Sequence, residues 1–151
     1  MKLNQHIELD YDDVVSMCDN LAHVVNGYAP DLLVGLSRGG LVPAVHLSHR
    51  LGVPMRPIIW QTRDGGERHI DPYIVDAIKQ KKTVVFVDDI NDSGATFQEI
   101  AKFYIMDKGL DCDNVFFAAL VEKISSGFVC GATALKINDP RWIIFPWESE
   151  V

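Results

Sequence analysis

The chain predicts an α/β fold, a doubly wound and mostly parallel sheet flanked by helices, on three observations. Short apolar, β-branched runs alternate with segments of helical period along the 151 residues. One such run, VVFVDD at 84–89, ends on two acids and passes through a glycine-bearing loop into another helical pattern. No internal repeat, low-complexity tract or linker interrupts the alternation.

The elements follow in order. Asp10 is the expected N-cap of a helix whose apolar stripe runs Val14, Met17, Cys18, Leu21, Val24, Val25 and Tyr28. Residues 31–36 read as a short buried strand, and SRGG separates it from a helix over 41–51. There Pro43 sits near the start, where a missing N–H costs little, and Gly52 ends the helix. A second strand is expected over 55–60. The stretch 61–71 has no apolar period and carries two adjacent glycines, the mark of a functional or mobile loop. A short helix over 72–80 leads to the strand at 83–89. Phe97, Ile100, Ala101, Tyr104 and Ile105 then keep a helical period as far as Lys108-Gly109. Strands are expected over 114–121 and 133–137, with WIIFPW as a short terminal one.

The totals set bounds on function. A single domain, 1–151, is long enough to bury roughly 70% of the surface its unfolded form exposes. Fourteen basic against 21 acidic residues give a formal charge of -7 and a pI near 5.1, which argues against neutralising a nucleic-acid backbone. Small anions held by metal ions and backbone amides remain open. Cys18, Cys112 and Cys130 are odd in number and lack a Cys-x-x-Cys pair, so neither a disulfide framework nor a zinc knuckle is expected. With no leader pattern and no run near the roughly 18 residues of a membrane span, the expectation is a cytoplasmic protein without a membrane partner.

The acid-tipped strand is the most informative stretch. Ligands of open α/β sheets collect outside the carboxyl ends of strands, where Asp88 and Asp89 fall. The loop 91–96 leads into a helix N-terminus, whose free N–H groups favour a phosphate. Gly94 is expected to let backbone approach closely, with Ser93 and Thr96 adding hydroxyls. Acids beside a phosphate cradle repel the anion unless they bind hydroxyls or a divalent cation, conditions that a sugar phosphate with Mg²⁺ meets. An isolated acid pair could equally meet only solvent. A P-loop nucleotidase is unsupported without a G-x-x-x-x-G-K-[ST] motif, and a receiver-type phosphate acceptor fits poorly with acids that lead into a glycine loop.

The thirteen residues VVFVDDINDSGAT, 84–96, resemble the phosphoribosyl diphosphate (PRPP) signature of the type I phosphoribosyltransferases. The resemblance implies that family's fold with a small C-terminal hood. It also implies that Asp88 and Asp89 bind the ribose hydroxyls, directly or through Mg²⁺, while Asp92, Ser93, Gly94, Ala95 and Thr96 hold the 5′-phosphate. VGLSRGGLVPAVHLSHRLG is similar to the diphosphate-binding segment of bacterial xanthine-guanine phosphoribosyltransferases, which implies that role for Ser37, Arg38, Gly39 and Gly40. An arginine fork beside two glycines offers charge and exposed N–H groups together.

DPRWIIFPWE resembles the purine-binding segment of 6-oxopurine enzymes. That implies Trp142 as the stacking ring, Ile143 as a backbone contact, Glu148 as an acid near metal and pyrophosphate, and about 138–151 as the base-binding hood. Lys123 matches the lysine that donates to the 6-oxo group. Asp92 is placed near purine N7 as the catalytic base, with Arg38 acting on the leaving diphosphate. Loop 61–71 takes the place of the mobile catalytic lid, but departs from the bacterial pattern; Arg63 is its candidate contact. His46 and His49 lack a third ligand nearby and read as exposed helix residues rather than a metal pair. Trp147 reads as packing.

The implied reaction joins PRPP to hypoxanthine, guanine or xanthine in purine salvage, with a homo-oligomer, dimer or tetramer, as the expected assembly. The alternatives are a PRPP-binding regulatory protein without turnover and a transferase for another base.

Overall fold

The computed structural model describes residues 5–62 and 65–148. A short strand β1 (His6–Glu8) precedes α1 (Tyr11–Asn26). Asp10 caps α1 through a reciprocal box with Asp13: the Asp13 N–H donates to Asp10 Oδ1 at 2.7 Å, and the Asp10 N–H donates to Asp13 Oδ2 at 2.9 Å. Next come β2 (Leu32–Ser37), α2 (Leu41–Leu51) and β3 (Met55–Ile59). Gly52 ends α2 in the left-handed conformation, φ 65°. Helix α3 (Pro72–Lys79) is capped by Asp71, whose side chain accepts from the Tyr73 N–H, with proline in its first turn. The chain continues through β4 (Val84–Asn91), α4 (Ala95–Tyr104), a 3₁₀ turn (Met106–Lys108), β5 (Val115–Lys123), β6 (Ala132–Ile137), β7 (Trp142–Ile144) and a 3₁₀ turn (Pro146–Glu148).

The main sheet is five-stranded and parallel, in the order β3-β2-β4-β5-β6. Alternation along its strands divides the core between two faces. Leu32, Val34, Val84, Phe86 and Phe117 pack against α3 and α4 through Ile74, Ile78, Phe97, Ile100 and Tyr104. Leu33, Val85, Val87 and Ala118 pack against α1 and α2 through Val14, Leu21, Val25, Ala44 and Leu47. The sheet is therefore doubly wound, as expected. Strand order reverses between β2 and β4, so the crevice beyond their carboxyl ends is the switch point where such sheets take ligands.

Two expectations need correction, and one strand is new. The short terminal strand β7 pairs in parallel with β1, a strand absent from the sequence reading, in a two-stranded sheet separate from the main one. Strand β4 runs two residues past the expected end, so Asp88 and Asp89 lie within it rather than at its tip. His46 is half-buried, its Nε2 3.1 Å from Asp19 Oδ1, while His49 is exposed as expected. All three cysteines are free.

Strand β4 is prolonged because Asn91 is buried in a polar network. Its Nδ2 donates to Glu122 Oε2 (3.2 Å) and to the Phe128 carbonyl (2.5 Å), while Ser126 Oγ donates to Asn91 Oδ1 (3.2 Å). Glu122, also buried, accepts from the Cys130 N–H at 2.7 Å. These bonds carry the segment 124–131 back across the sheet from β5 to β6, which has no helix of its own to satisfy its backbone. Replacing Asn91 by Ala strands several buried partners, and is expected to lower stability by about 1–3 kcal/mol, read as a lower urea midpoint at unchanged slope.

Candidate active site

At the switch point the turn after β2 lies directly on the acid pair of β4. A Cβ added to Gly39 would sit 1.8 Å from Asp89 Oδ2, and one added to Gly40 would sit 2.4 Å from the Val87 carbonyl oxygen. The two glycines are thus required by the protein's own carboxylate and strand, whatever else they contact. Ser37 and Arg38, joined by a cis peptide bond, open onto a crevice of about 490 Å³ shared with Trp60, Thr62, Asp88 and Thr96. Arg38 is exposed there and Ser37 half-buried.

The helices around the crevice begin differently from the others. Asp10 and Asp71 cap α1 and α3, whereas α2 begins at Gly40 and α4 at Gly94 without any side-chain cap. Ser93 Oγ offers only a 3.3 Å acceptor to the Ala95 N–H. Two helix N-termini, one from each face of the sheet, therefore turn their dipole ends to the place where an anion would be received. Helix α4 does so more openly than α2, where the Leu41 N–H donates to the Arg38 carbonyl (3.1 Å) and Pro43 has none. Asp92 and Ser93 are exposed on this loop, and Ala95 and Thr96 half-buried. Gly94, at φ 90°, approaches backbone as expected, but the chain it approaches is its own: an added Cβ would lie 2.6 Å from the Phe128 N.

In the arm, loop 61–71, the described residues on either side of 63–64 carry more hydrogen bonding than their lack of period suggested. Trp60 and Arg68 form an antiparallel bridge, and the Gln61 N–H donates to the Glu67 carbonyl (2.7 Å). Arg68 fastens the arm to α4: its Nε lies 2.5 Å from Glu99 Oε1, and its terminal nitrogens donate to the Thr62 and Gly66 carbonyls. Thr62 Oγ1 is 2.7 Å from Thr96 Oγ1. Behind the arm, the Tyr104 hydroxyl accepts from the Asp71 N–H and donates to the His69 carbonyl. Sequence reasoning missed Thr62, Arg68 and Glu99, whose link spans 31 positions and leaves no local pattern; Arg63 lies outside the described residues.

Beyond Asp89 the two-stranded sheet forms a second cavity of about 570 Å³, lined by His6, Glu8, Trp142, Ile144, Pro146 and Glu148 among others. Trp142 is half exposed (51%) on it, while the Ile143 side chain points into the core. Trp147 stacks on Phe145 with ring centroids 4.8 Å apart, the packing role expected of it. Lys123 is buried (7%), and its ammonium donates to the Asp139 (2.6 Å) and Arg141 (2.7 Å) carbonyls just before β7. It therefore ties the hood to the end of β5, with one N–H left for another acceptor.

Burial raises the Asp88 carboxyl well above the ordinary range, and the neighbouring Asp89 charge adds to the shift. Asp89 is raised by burial too, with Glu148 contributing repulsion. No ion pair offsets either acid among the described residues. Adjacent, half-buried, acceptor-only oxygens under repulsion suit a hard divalent cation, which would relieve that repulsion. Glu148 is within electrostatic reach, but its Oε2 is engaged by the Phe145 N–H (2.9 Å). The three carboxylates do not gather into a closed cage. Among the described residues only Asp111, Cys112 and Asp113, exposed elsewhere, bring three ligand atoms within 4.8 Å of one another.

The fold is a doubly wound α/β sheet with a crevice at its switch point, and comparison with known proteins gives its class. A family model described as phosphoribosyl transferase domain matches residues 18–151. The structure is similar to that of a purine phosphoribosyltransferase from Pyrococcus horikoshii, at 30% identity and TM-score 0.77, over 97% of this chain and 96% of that one. It is also similar to the xanthine-guanine-hypoxanthine phosphoribosyltransferase of Helicobacter pylori, at 26% identity and TM-score 0.74, over 95% and 93% of the two chains. A xanthine-guanine phosphoribosyltransferase from Cereibacter sphaeroides is 26% identical over 138 residues, 85% of this chain and 78% of that protein.

The chain belongs to the phosphoribosyltransferase family, and it is an enzyme of that family with the type I fold.

The raised acid pair has a thermodynamic consequence. A carboxyl whose folded pKa exceeds its unfolded value binds more protons when folded, so stability falls as pH rises from the unfolded value through the folded one. Asp88→Asn is accordingly expected to stabilise the free protein at neutral pH by about 1 kcal/mol and to weaken the decline in melting temperature above pH 5, while PRPP binding by calorimetry is lost. Gly39→Ala should also lose PRPP, because its methyl displaces the Asp89 carboxylate.

Proposed function

We propose that the protein transfers the 5-phosphoribosyl group of PRPP to N9 of a 6-oxopurine, hypoxanthine, guanine or xanthine, giving the nucleoside monophosphate and pyrophosphate in purine salvage. The observation that carries this reading is the Asp88-Asp89 pair set beneath the Arg38 turn. It lies between the uncapped starts of α2 and α4 and next to a separate cavity edged by an indole. An acid-hydroxyl site flanked by two anion sites suits a ribose with phosphate groups at both ends, and the flat Trp142 ring suits a purine.

In this reading the bare N–H groups of α4, with Asp92, Ser93, Gly94, Ala95 and Thr96, hold the 5′-phosphate. Asp88 and Asp89 fix the ribose so that C1 faces the base, an orientational contribution. Ser37, Gly39 and Gly40 offer backbone groups to the diphosphate, and Arg38 neutralises charge as the bond to C1 breaks. Asp92, exposed on its loop, takes or shares the N7 proton as the base attacks through N9. Trp142 stacks on the ring, Ile143 meets its edge through backbone, and the remaining Lys123 N–H donates to the 6-oxo group. Mg²⁺, when bound, supplies further charge neutralisation on the diphosphate; Asp88, Asp89 and Glu148 are the residues that would hold it.

A cytoplasmic setting, which free thiols suit, belongs to the same proposal. So does a homo-oligomer, dimer or tetramer, which suits the exposed Val15, Val42 and Val45 on α1 and α2. A PRPP-binding regulator without turnover would have no need of Lys123 and Trp142 together.

Incubated with PRPP, Mg²⁺ and each of four purines, the protein should release pyrophosphate with hypoxanthine, guanine or xanthine and not with adenine. Silence with all four would refute the reading. Asp92→Asn should lose roughly 10²–10⁴-fold in kcat with a far smaller change in PRPP affinity, and an unchanged kcat would refute the base assignment.

A further inference from the structure

We propose that Glu8, supported by His6, reads the C2 position of the purine and favours guanine over xanthine; the proposal rests on the transferase reading above. The parallel β1-β7 ladder sets His6 opposite Trp142 and Glu8 opposite Ile144. Alternation sends Ile7 and Ile143 to the core. It leaves His6, Glu8, Trp142 and Ile144 on the other face, where all four line the 570 Å³ cavity. Glu148 lines it as well, and its charge is felt at Asp89.

A base stacked on Trp142 meets three sets of partners. Its N9 faces the ribose at Asp88 and Asp89, and its 6-oxo group faces Lys123. The edge that remains is N1, C2 and N3; with Glu148 engaged by the Phe145 N–H, the polar side chains left on the cavity wall for it are His6 and Glu8. Glu8 is available: its side chain is 76% exposed, 3.8 Å from His6 Nε2. Nearby Arg141 is taken up by Asp139, 2.7 Å away.

An ionised carboxylate only accepts hydrogen bonds. It therefore welcomes the 2-amino group of guanine and repels the 2-oxo group of xanthine, while hypoxanthine offers it neither. An amide in the same place can do both, donating to a carbonyl and accepting from an amine.

The test compares kcat/KM for guanine and xanthine in the wild type, Glu8→Gln and Glu8→Ala, with circular dichroism melts as a check on folding. Glu8→Gln should lower the guanine-to-xanthine preference by about tenfold or more, with xanthine gaining in absolute terms; Glu8→Ala should lower it by weakening guanine and relieving the repulsion of xanthine, with a smaller gain for xanthine than the amide brings. A merely structural role would depress both bases together and leave the ratio fixed, which would overturn the proposal. A wild type that is silent with every purine would instead refute the transferase reading itself.

Discussion

Two like charges on successive residues of a central strand, pressed against a glycine turn from the neighbouring strand, are the constraint around which the molecule is organised. Asp88 and Asp89 are held there by β4, paired on both sides by β2 and β5. The turn cannot retreat, because Gly40 is wedged against the Val87 carbonyl and opens α2. Burial raises both carboxyls, with repulsion from Asp89 adding to it at Asp88 and from Glu148 at Asp89. The fold therefore stores an unfavourable electrostatic arrangement that ribose hydroxyls or a hard cation would relieve, the usual exchange of stability for a prepared site.

The helix starts repeat this logic. Where α1 and α3 serve only the core, aspartates satisfy their first N–H groups. Where α2 and α4 border the crevice, glycines stand in the capping position and offer no side-chain acceptor of their own. A cap is worth about 1 kcal/mol, so two omissions at one place and none elsewhere point to an external anion as the acceptor.

Much of this was legible because it is written in local sequence. The Asp10 box, the Gly52 stop, the apolar β4 run and the glycine loop after it each depend on residues a few positions apart. The missing parts depend on contacts between distant segments. Strand β1 is three residues, HIE, too short for its alternation to register, and becomes a strand only because β7 lies beside it. Asn91 reads as the first residue of the loop 91–96, and Glu122 carries no local signal; their burial follows from the 124–131 crossover. Arg68 carries no local signal either, since its partner Glu99 is brought up by α4. Gly94 shows a subtler limit: its need for glycine was visible, but the backbone it accommodates, Phe128, was not.

Lys123 joins the two halves of the site. A buried ammonium is costly unless hydrogen bonded, and here two carbonyls from the hood meet that requirement. The contact runs both ways. It satisfies the lysine, and it fixes the backbone immediately before Trp142, hence the height of the indole above the cavity and the lateral position of β7 against β1. Because Lys123 ends β5, and β5 is in register with β4 at Asp88 and Asn91, the spacing between the acid pair and the indole is set by the sheet rather than by a flexible tail. A single short strand pair is thus held in fixed relation to the acid pair, since the rigidity it lacks is supplied by the central sheet.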